Sequence, residues 1–505
     1  MRPHLTLLDD AGLERLRAAT LDVLGNTGVA FKSAAARAVL RDAGARVDDE
    51  SGVVWIPPDL VEATVAAAPR EIVLGARDGL HDLLLDGGTT HPTHDGIGAY
   101  VLDHRTFERR QATLDDLRAA TLVGDALDEV ALTWYAVNPS GSVEPRLEGV
   151  LSSHTLLTAS GKHAQGAVLA PRDVPYVMEL AGLASPGGRW DPARPVFSAI
   201  YCPVSPLQHE ADAVEAAMAL VRQHVPLSIY ALPLAGATAP ATLAGAIVQT
   251  NAEVLSSVVL FQLVEPGCPL VYVANAALMD MHAASYAAAS PESMLMNLTL
   301  TELGRSYGLP ILTVGFSTDA WTPGPRLGAE SALMTATGLL AGADILIGMG
   351  MLNSANALCL PKLLLDAELW GACRRLARGV ELDDEHLMLD LMERVGPGGH
   401  YLSAKETSAT LRAGEHWRPG LYRRVAYETW QAARPAPATG GGRADLTPPA
   451  GPLVSASAGP PNPEWDEAVE RVEALLATHT PPLLPDGAEA AMADVVAAAE
   501  RELPA

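Results

Sequence analysis

From about residue 130 the chain repeats one pattern: a short, continuous apolar run, then a stretch of helical length. The runs fall at 131–137, 163–169, 196–200, 227–232, 270–274, 311–316 and 345–349. The helical stretches between them cover 146–159, 174–183, 211–223, 243–263, 294–307 and 330–340. Pro195, Pro226, Pro269 and Pro310 each stand just before a run, where a helix cannot continue. A strand that is apolar on both faces is covered on both faces, and alternation with helices makes the sheet parallel. Seven such units in a row predict a closed (β/α)₈ (TIM) barrel rather than an open sheet. An eighth strand is expected near 399–402.

Helices and turns flank this repeat. Residues 1–128 read as an N-terminal helical and β-rich extension packing on the barrel, with helices near 13–24, 34–43 and 58–68 and strands near 71–74, 83–85 and 99–102. The barrel domain is expected over 129–433. Residues 434–463 are a Pro/Gly/Ala-rich linker with little to bury. Residues 464–505 read as two C-terminal helices around a proline-rich break.

Composition narrows the function classes. The 505 residues include 35 Lys+Arg against 60 Asp+Glu, so 35 − 60 gives a net charge of −25. A binder of nucleic acid needs basic patches to displace phosphate counterions, and none is evident. The apolar stretch 269–289 is interrupted by Asp280 and His282, which argues against a membrane span. The N-terminus shows no apolar signal segment. Cys202, Cys268, Cys359 and Cys373 lack the spacing of a thiolate metal site or a disulfide framework, as expected for buried thiols in a reducing cytoplasm. No GxxxxGK[ST], HExxH or strand–GxGxxG–helix unit occurs.

Five segments taken in order resemble the trimethylamine methyltransferase family. They begin with GNTGVAFKSAAARAVLRDAGARVDDESGVVWIPPDLVEATVAAAPREIVLGARD and GIGAYVLDHRTFERRQATLDDL. GLLAGADILIGMGML follows, then LPKLLLDAELWGACRRLARGVELDDEHLMLDLMERVGPGGHYLSAKETSATLRAGEHWRPGLYRR, and finally ERVEALLATHTPPLLP. The resemblance implies a TIM barrel that passes a methyl group from a methylated amine to the cob(I)alamin of a separate corrinoid protein. A second methyltransferase would then move the methyl to tetrahydrofolate or another acceptor. Pyrrolysine-containing members use trimethylamine. This sequence shows no pyrrolysine, so the resemblance points to a quaternary amine such as glycine betaine. The chain also lacks DxHxxG, by which corrinoid proteins ligate cobalt, so the cobalamin is expected on a cognate partner.

Residue chemistry is compatible with that reading. Attack on a methyl of a quaternary ammonium releases a neutral tertiary amine, so no general acid is required. The protein must supply position, a cation pocket and an open approach to the methyl carbon. Cation pockets use aromatic faces, and barrel active sites gather at strand C-terminal ends. The candidates for substrate binding are therefore Tyr135, Gln165, Tyr201, Tyr230, Phe316 and Trp321, with packing of the barrel top as the alternative for the tyrosines. Asn138, Asn275 and Met349 stand at the same strand ends. His400, Glu330 and Asp319 are the catalytic candidates. Glu330 opens a helix, where a carboxylate also suits the dipole. Gly398, Gly399 and Asn353 are expected to face the corrinoid, the first two in the string GPGGH. His94 and Asp95, in HPTHDGIGAY, form a turn that closes over the barrel mouth or is merely solvated. His163 and Gln165 share strand parity and point inward. No metal-ligand cluster is expected, and a homo-oligomer is compatible with the fold. The competing readings are a quaternary-amine-binding barrel without catalysis, and a lyase or aldolase, for which Lys162, Lys362 and Lys405 are poorly placed.

Overall fold

A computed structural model describes residues 4–433 and 463–504. All but one of the residues of the expected 434–463 linker lie outside the described residues. Eight parallel strands form one sheet: β1 (His91–His94), β2 (Thr133–Trp134), β3 (Ala164–Ala167), β4 (Phe197–Tyr201), β5 (Leu227–Ile229), β6 (Leu270–Ala274), β7 (Ile311–Val314) and β8 (Ile345–Met349). Neighbours in the chain pair from β2 to β8, and β8 pairs with β1. A parallel bridge between Thr93 and Leu132 joins β1 to β2 and closes the barrel.

The eighth strand is thus β1, from within the 1–128 segment, and residues 399–402 are irregular and exposed. No apolar run announces β1, because its sequence is His-Pro-Thr-His. Pro92 lacks an amide for the ladder, and the register against β8 shifts between Leu346 and Met349. Burial of Pro92, Thr93 and His94 comes from the strands on either side rather than from local hydrophobicity.

Each strand is followed by a helix on the outer ring: α1 (Leu114–Ala126), α2 (Glu148–Ala159), α3 (Val174–Ala184), α4 (Ala211–Val221), α5 (Leu243–Val264), α6 (Pro291–Ser306), α7 (Pro325–Ala341) and α8 (Leu360–Arg378). Helices Asp10–Asp22 and Pro58–Ala67 pack over α5. Among the described residues α5 alone is long and apolar enough to cross a membrane, yet it is mostly buried and carries the buried Glu253. That carboxylate accepts from the Ser205 hydroxyl (2.7 Å) and the Leu207 amide (2.9 Å). Helix Pro463–Thr478 packs on α8 and α1, and Ala488–Glu502 on α3 and α2.

The barrel interior is partly polar. His163 Nε2 lies 2.8 Å from the Ser198 hydroxyl, and the Gln165 amide donates to Ser228 (2.7 Å). Burial pushes the His163 imidazole down to about 4, so it is neutral. Two buried lysines serve the frame. The Lys162 ammonium donates to the carbonyls of Gly124, Leu127 and Val130 at 2.6–2.9 Å. The Lys362 ammonium donates to Asp366 (2.6 Å) and to the Phe316 carbonyl (2.8 Å), while Asp366 also accepts from the Gly350 amide (2.8 Å). Helix α8 thereby clamps the chain just past the ends of β7 and β8.

Breaking a buried pair leaves an uncompensated charge. Lys362→Met should lower unfolding free energy by about 3–5 kcal/mol in urea titration, and Lys362→Met/Asp366→Leu should recover part of it.

Candidate active site

A cavity of about 650 Å³ opens at the C-terminal end of the barrel. Its wall is assembled from chain leaving different strands: Asp95, Gly96 and Ile97 after β1, Trp134 on β2, Ile200 and Cys202 around the end of β4, Tyr230 and Leu232 after β5, and 353–356 after β8. Tyr286 arrives on a ribbon in which Ala277–Asp280 pairs antiparallel with Ser285–Ala287. Leu234–Ala235 extends that ribbon into a small three-stranded cover over the mouth.

Three aromatic rings, Trp134, Tyr230 and Tyr286, therefore share a cavity with one carboxylate, Asp95. Asp95 is buried, and desolvation pushes its carboxyl up to about 6, although the Gly96 amide donates to it (2.7 Å) and the Lys362 charge also favours the anion. Burial and the Asp95 charge hold the Tyr230 and Tyr286 hydroxyls protonated. Burial raises the Cys202 thiol to about 12, which makes it a poor nucleophile. The cavity lining contains no Lys, Arg or His.

Close approach requires glycine here. A Cβ on Gly96 would sit 2.2 Å from Trp134 Nε1. Backbone strain also gathers around the mouth: Ile97, Phe316, Asn353, Ser354 and Ala355 all have positive φ, between 47° and 65°.

Of the expected substrate-binding residues, the structure brings Tyr230 to the cavity. Tyr201 faces outward, because Ile200 takes the inward position; its hydroxyl lies 2.6 Å from His209 Nδ1 and its ring meets Phe261 edge-on. Tyr135 likewise points away, donating to Glu148 (2.5 Å). Gln165 is bonded deeper in the barrel. Phe316 packs against Trp370. Trp321 is 40% exposed, with Arg109 stacked 5.9 Å from its ring.

The expected catalytic and corrinoid-facing residues also separate. Asp319 and Glu330 build the wall from behind. The Ser354 hydroxyl donates to Asp319 (2.6 Å), and the Asp319 amide and Thr318 hydroxyl donate to Glu330 (2.9 and 2.7 Å). Asn353 lines the cavity. Gly398, Gly399 and His400 are exposed after helix Leu389–Val395 and contribute nothing to the lining. His94 is buried at the end of β1, with Nε2 3.1 Å from the Ala120 carbonyl.

Asp95 was visible in the sequence only as part of a turn, and Tyr286 carried no signal, because its cover ribbon is too short to read from periodicity. Among the described residues one trio has metal-ligating proximity, Glu381, Asp383 and His386 within 4.8 Å, and it lies exposed beyond α8. Neither buried lysine is free for imine chemistry, since both ammonium groups are held by protein acceptors.

A model of the trimethylamine methyltransferase (MTTB) family matches residues 1–439. The chain belongs to this family and is a methyltransferase. A trimethylamine methyltransferase from Desulfitobacterium hafniense (strain DSM 10664 / DCB-2) is 30% identical over 493 residues, covering 98% of this chain and 94% of its own length. A glycine betaine methyltransferase from Desulfitobacterium hafniense (strain Y51) is 27% identical, covering 85% and 89%. Among solved structures, dihydropteroate synthase from Stenotrophomonas maltophilia aligns with 59% of this chain and 97% of its own at 13% identity, with a TM-score of 0.33.

The geometry separates the aromatic candidates experimentally. By calorimetry, Tyr230→Ala should weaken binding of a tetramethylammonium probe about thirtyfold, the scale of a desolvated cation–π contact of about 2 kcal/mol. Tyr201→Phe and Trp321→Ala should leave that affinity unchanged.

Proposed function

We propose that this methyltransferase takes a methyl group from a quaternary amine and delivers it to the cob(I)alamin of a separate corrinoid protein. The observation that carries the reading is the cavity itself: three aromatic rings around one buried carboxylate, with no cationic side chain in the lining. A quaternary ammonium has no N–H to donate, so its recognition depends on ring faces and a nearby anion. The family resemblance and the absence of pyrrolysine support a quaternary over a tertiary amine. The similarity to a trimethylamine methyltransferase and to a glycine betaine methyltransferase supports methylated amines as a class.

The residues present fit a corrinoid that stays on its own protein. The lining offers no imidazole, and its one thiol is held protonated by burial. When docked, the corrinoid would supply a Co(I) lone pair to the methyl carbon. The chain's own contribution is positional. Tyr230, Trp134 and Tyr286 hold the ammonium, Asp95 balances its charge, and the cover ribbon excludes water. The N–CH₃ bond breaks with its electron pair remaining on nitrogen, so a neutral amine leaves and no residue has to deliver a proton. Asp95 therefore acts through charge alone.

Mixing the purified chain with a reduced corrinoid protein and a panel of methylated amines tests the reading. Conversion of the cob(I)alamin spectrum to that of methylcob(III)alamin with a quaternary amine is expected. No conversion and no binding across the panel, with the corrinoid shown competent, would overturn it.

Charge balance also predicts a pH dependence. The free-protein Asp95 carboxyl is raised to about 6, so it is anionic above that pH and neutral below. A bound cation favours the anion, so binding should weaken as pH falls through about 6 and should release protons near that pH. Asp95→Asn should flatten the dependence in calorimetric titrations.

A further inference from the structure

Given the cation-site reading above, the polar groups around the cavity also bear on the substrate's tail. Asp95 is the one charged residue in the lining. The neighbouring Lys362 ammonium is already bound to Asp366 and the Phe316 carbonyl. Backbone donors are committed as well. The Gly96 amide donates to Asp95, and those of Ile97 and Gly98 to the carbonyls of Tyr135 and Ala136. After β8, the amides of Asn353 and Ser354 donate to the carbonyls of Ala320 and Thr318. A carboxylate tail would meet no guanidinium, no ammonium and no amide cluster at these positions. It would share the cavity with the buried Asp95 carboxylate, and like charges at close range repel.

An uncharged donor, by contrast, stands idle. Trp134 lines the cavity, is 1% exposed, and its Nε1–H has no acceptor. Indole nitrogen only donates, and a buried donor without a partner is costly. An oxygen on the substrate would satisfy it.

We infer that the cavity selects a quaternary ammonium whose tail ends in a neutral oxygen, a choline-type alcohol, over a zwitterion ending in a free carboxylate. The ammonium sits among the rings with Asp95, and the hydroxyl oxygen accepts from the Trp134 indole.

Calorimetric titration of the full chain at neutral pH with tetramethylammonium, choline and glycine betaine tests this. Choline should bind at least about tenfold more tightly than glycine betaine, a factor equivalent to ~1.4 kcal/mol. Trp134→Phe, which keeps a ring and removes the donor, should reduce choline affinity more than tetramethylammonium affinity. Glycine betaine binding as tightly as choline, with tetramethylammonium also bound, would overturn the tail assignment and leave the cation site standing. An equal loss for both cations in Trp134→Phe would also overturn it. Failure of tetramethylammonium and choline alike to bind would overturn the cation site, and this inference with it.

Discussion

The Lys362 ammonium has no exposed surface, and the barrel mouth is organised around it. A buried cation is tolerable only with acceptors at close range. Here they are Asp366, one turn along the same helix, and the Phe316 carbonyl beyond β7. Asp366 in turn takes the Gly350 amide beyond β8. Two loops that leave adjacent strands are thus tied to one point on α8. Burial still raises the Asp366 carboxyl to about 6, which measures how strongly the site resists charge. The pair contributes definition more than net stability, since desolvation offsets much of its attraction.

From that anchor the strain around the cavity becomes intelligible. Phe316 and 353–355 hold left-handed backbone in residues that ordinarily avoid it. Asp319 and Glu330 brace the same loops through Ser354 and Thr318. Their carboxylates are occupied by this bracing, so the negative charge left to face the cavity belongs to Asp95. Such a braced mouth suits the proposed reaction, in which the protein would move no proton and would hold a methyl carbon open to approach.

Much of the fold was legible in the chain. Continuous apolar runs such as 270–274 and 345–349 are what doubly covered parallel strands require, and they became β6 and β8. The same property hid the site. A run apolar on both faces does not say which residue points inward, so Tyr201 and Tyr135 looked equivalent to Tyr230. The pleat sent the first two outward to His209 and Glu148, while Tyr230, just past β5, turned over the mouth. The GPGGH string stood out by its glycines, yet it lies on an exposed segment that supplies none of the lining.

By itself the sequence determined the strand–helix repeat, and with it the barrel, the family and the general chemistry. Local periodicity decides the repeat and the barrel, because each unit must bury its own apolar face, whereas family and chemistry rest on the likeness of ordered segments to known relatives. Tertiary structure alone decided that His91–His94 completes the barrel, through partners more than 200 residues away on β8. It also decided that Asp95, Trp134, Tyr230 and Tyr286 meet around one cavity. Those residues carry no shared local pattern. Closure of the sheet brings them together, and only the burial that follows gives a turn aspartate its raised pKa and an indole its unpartnered N–H.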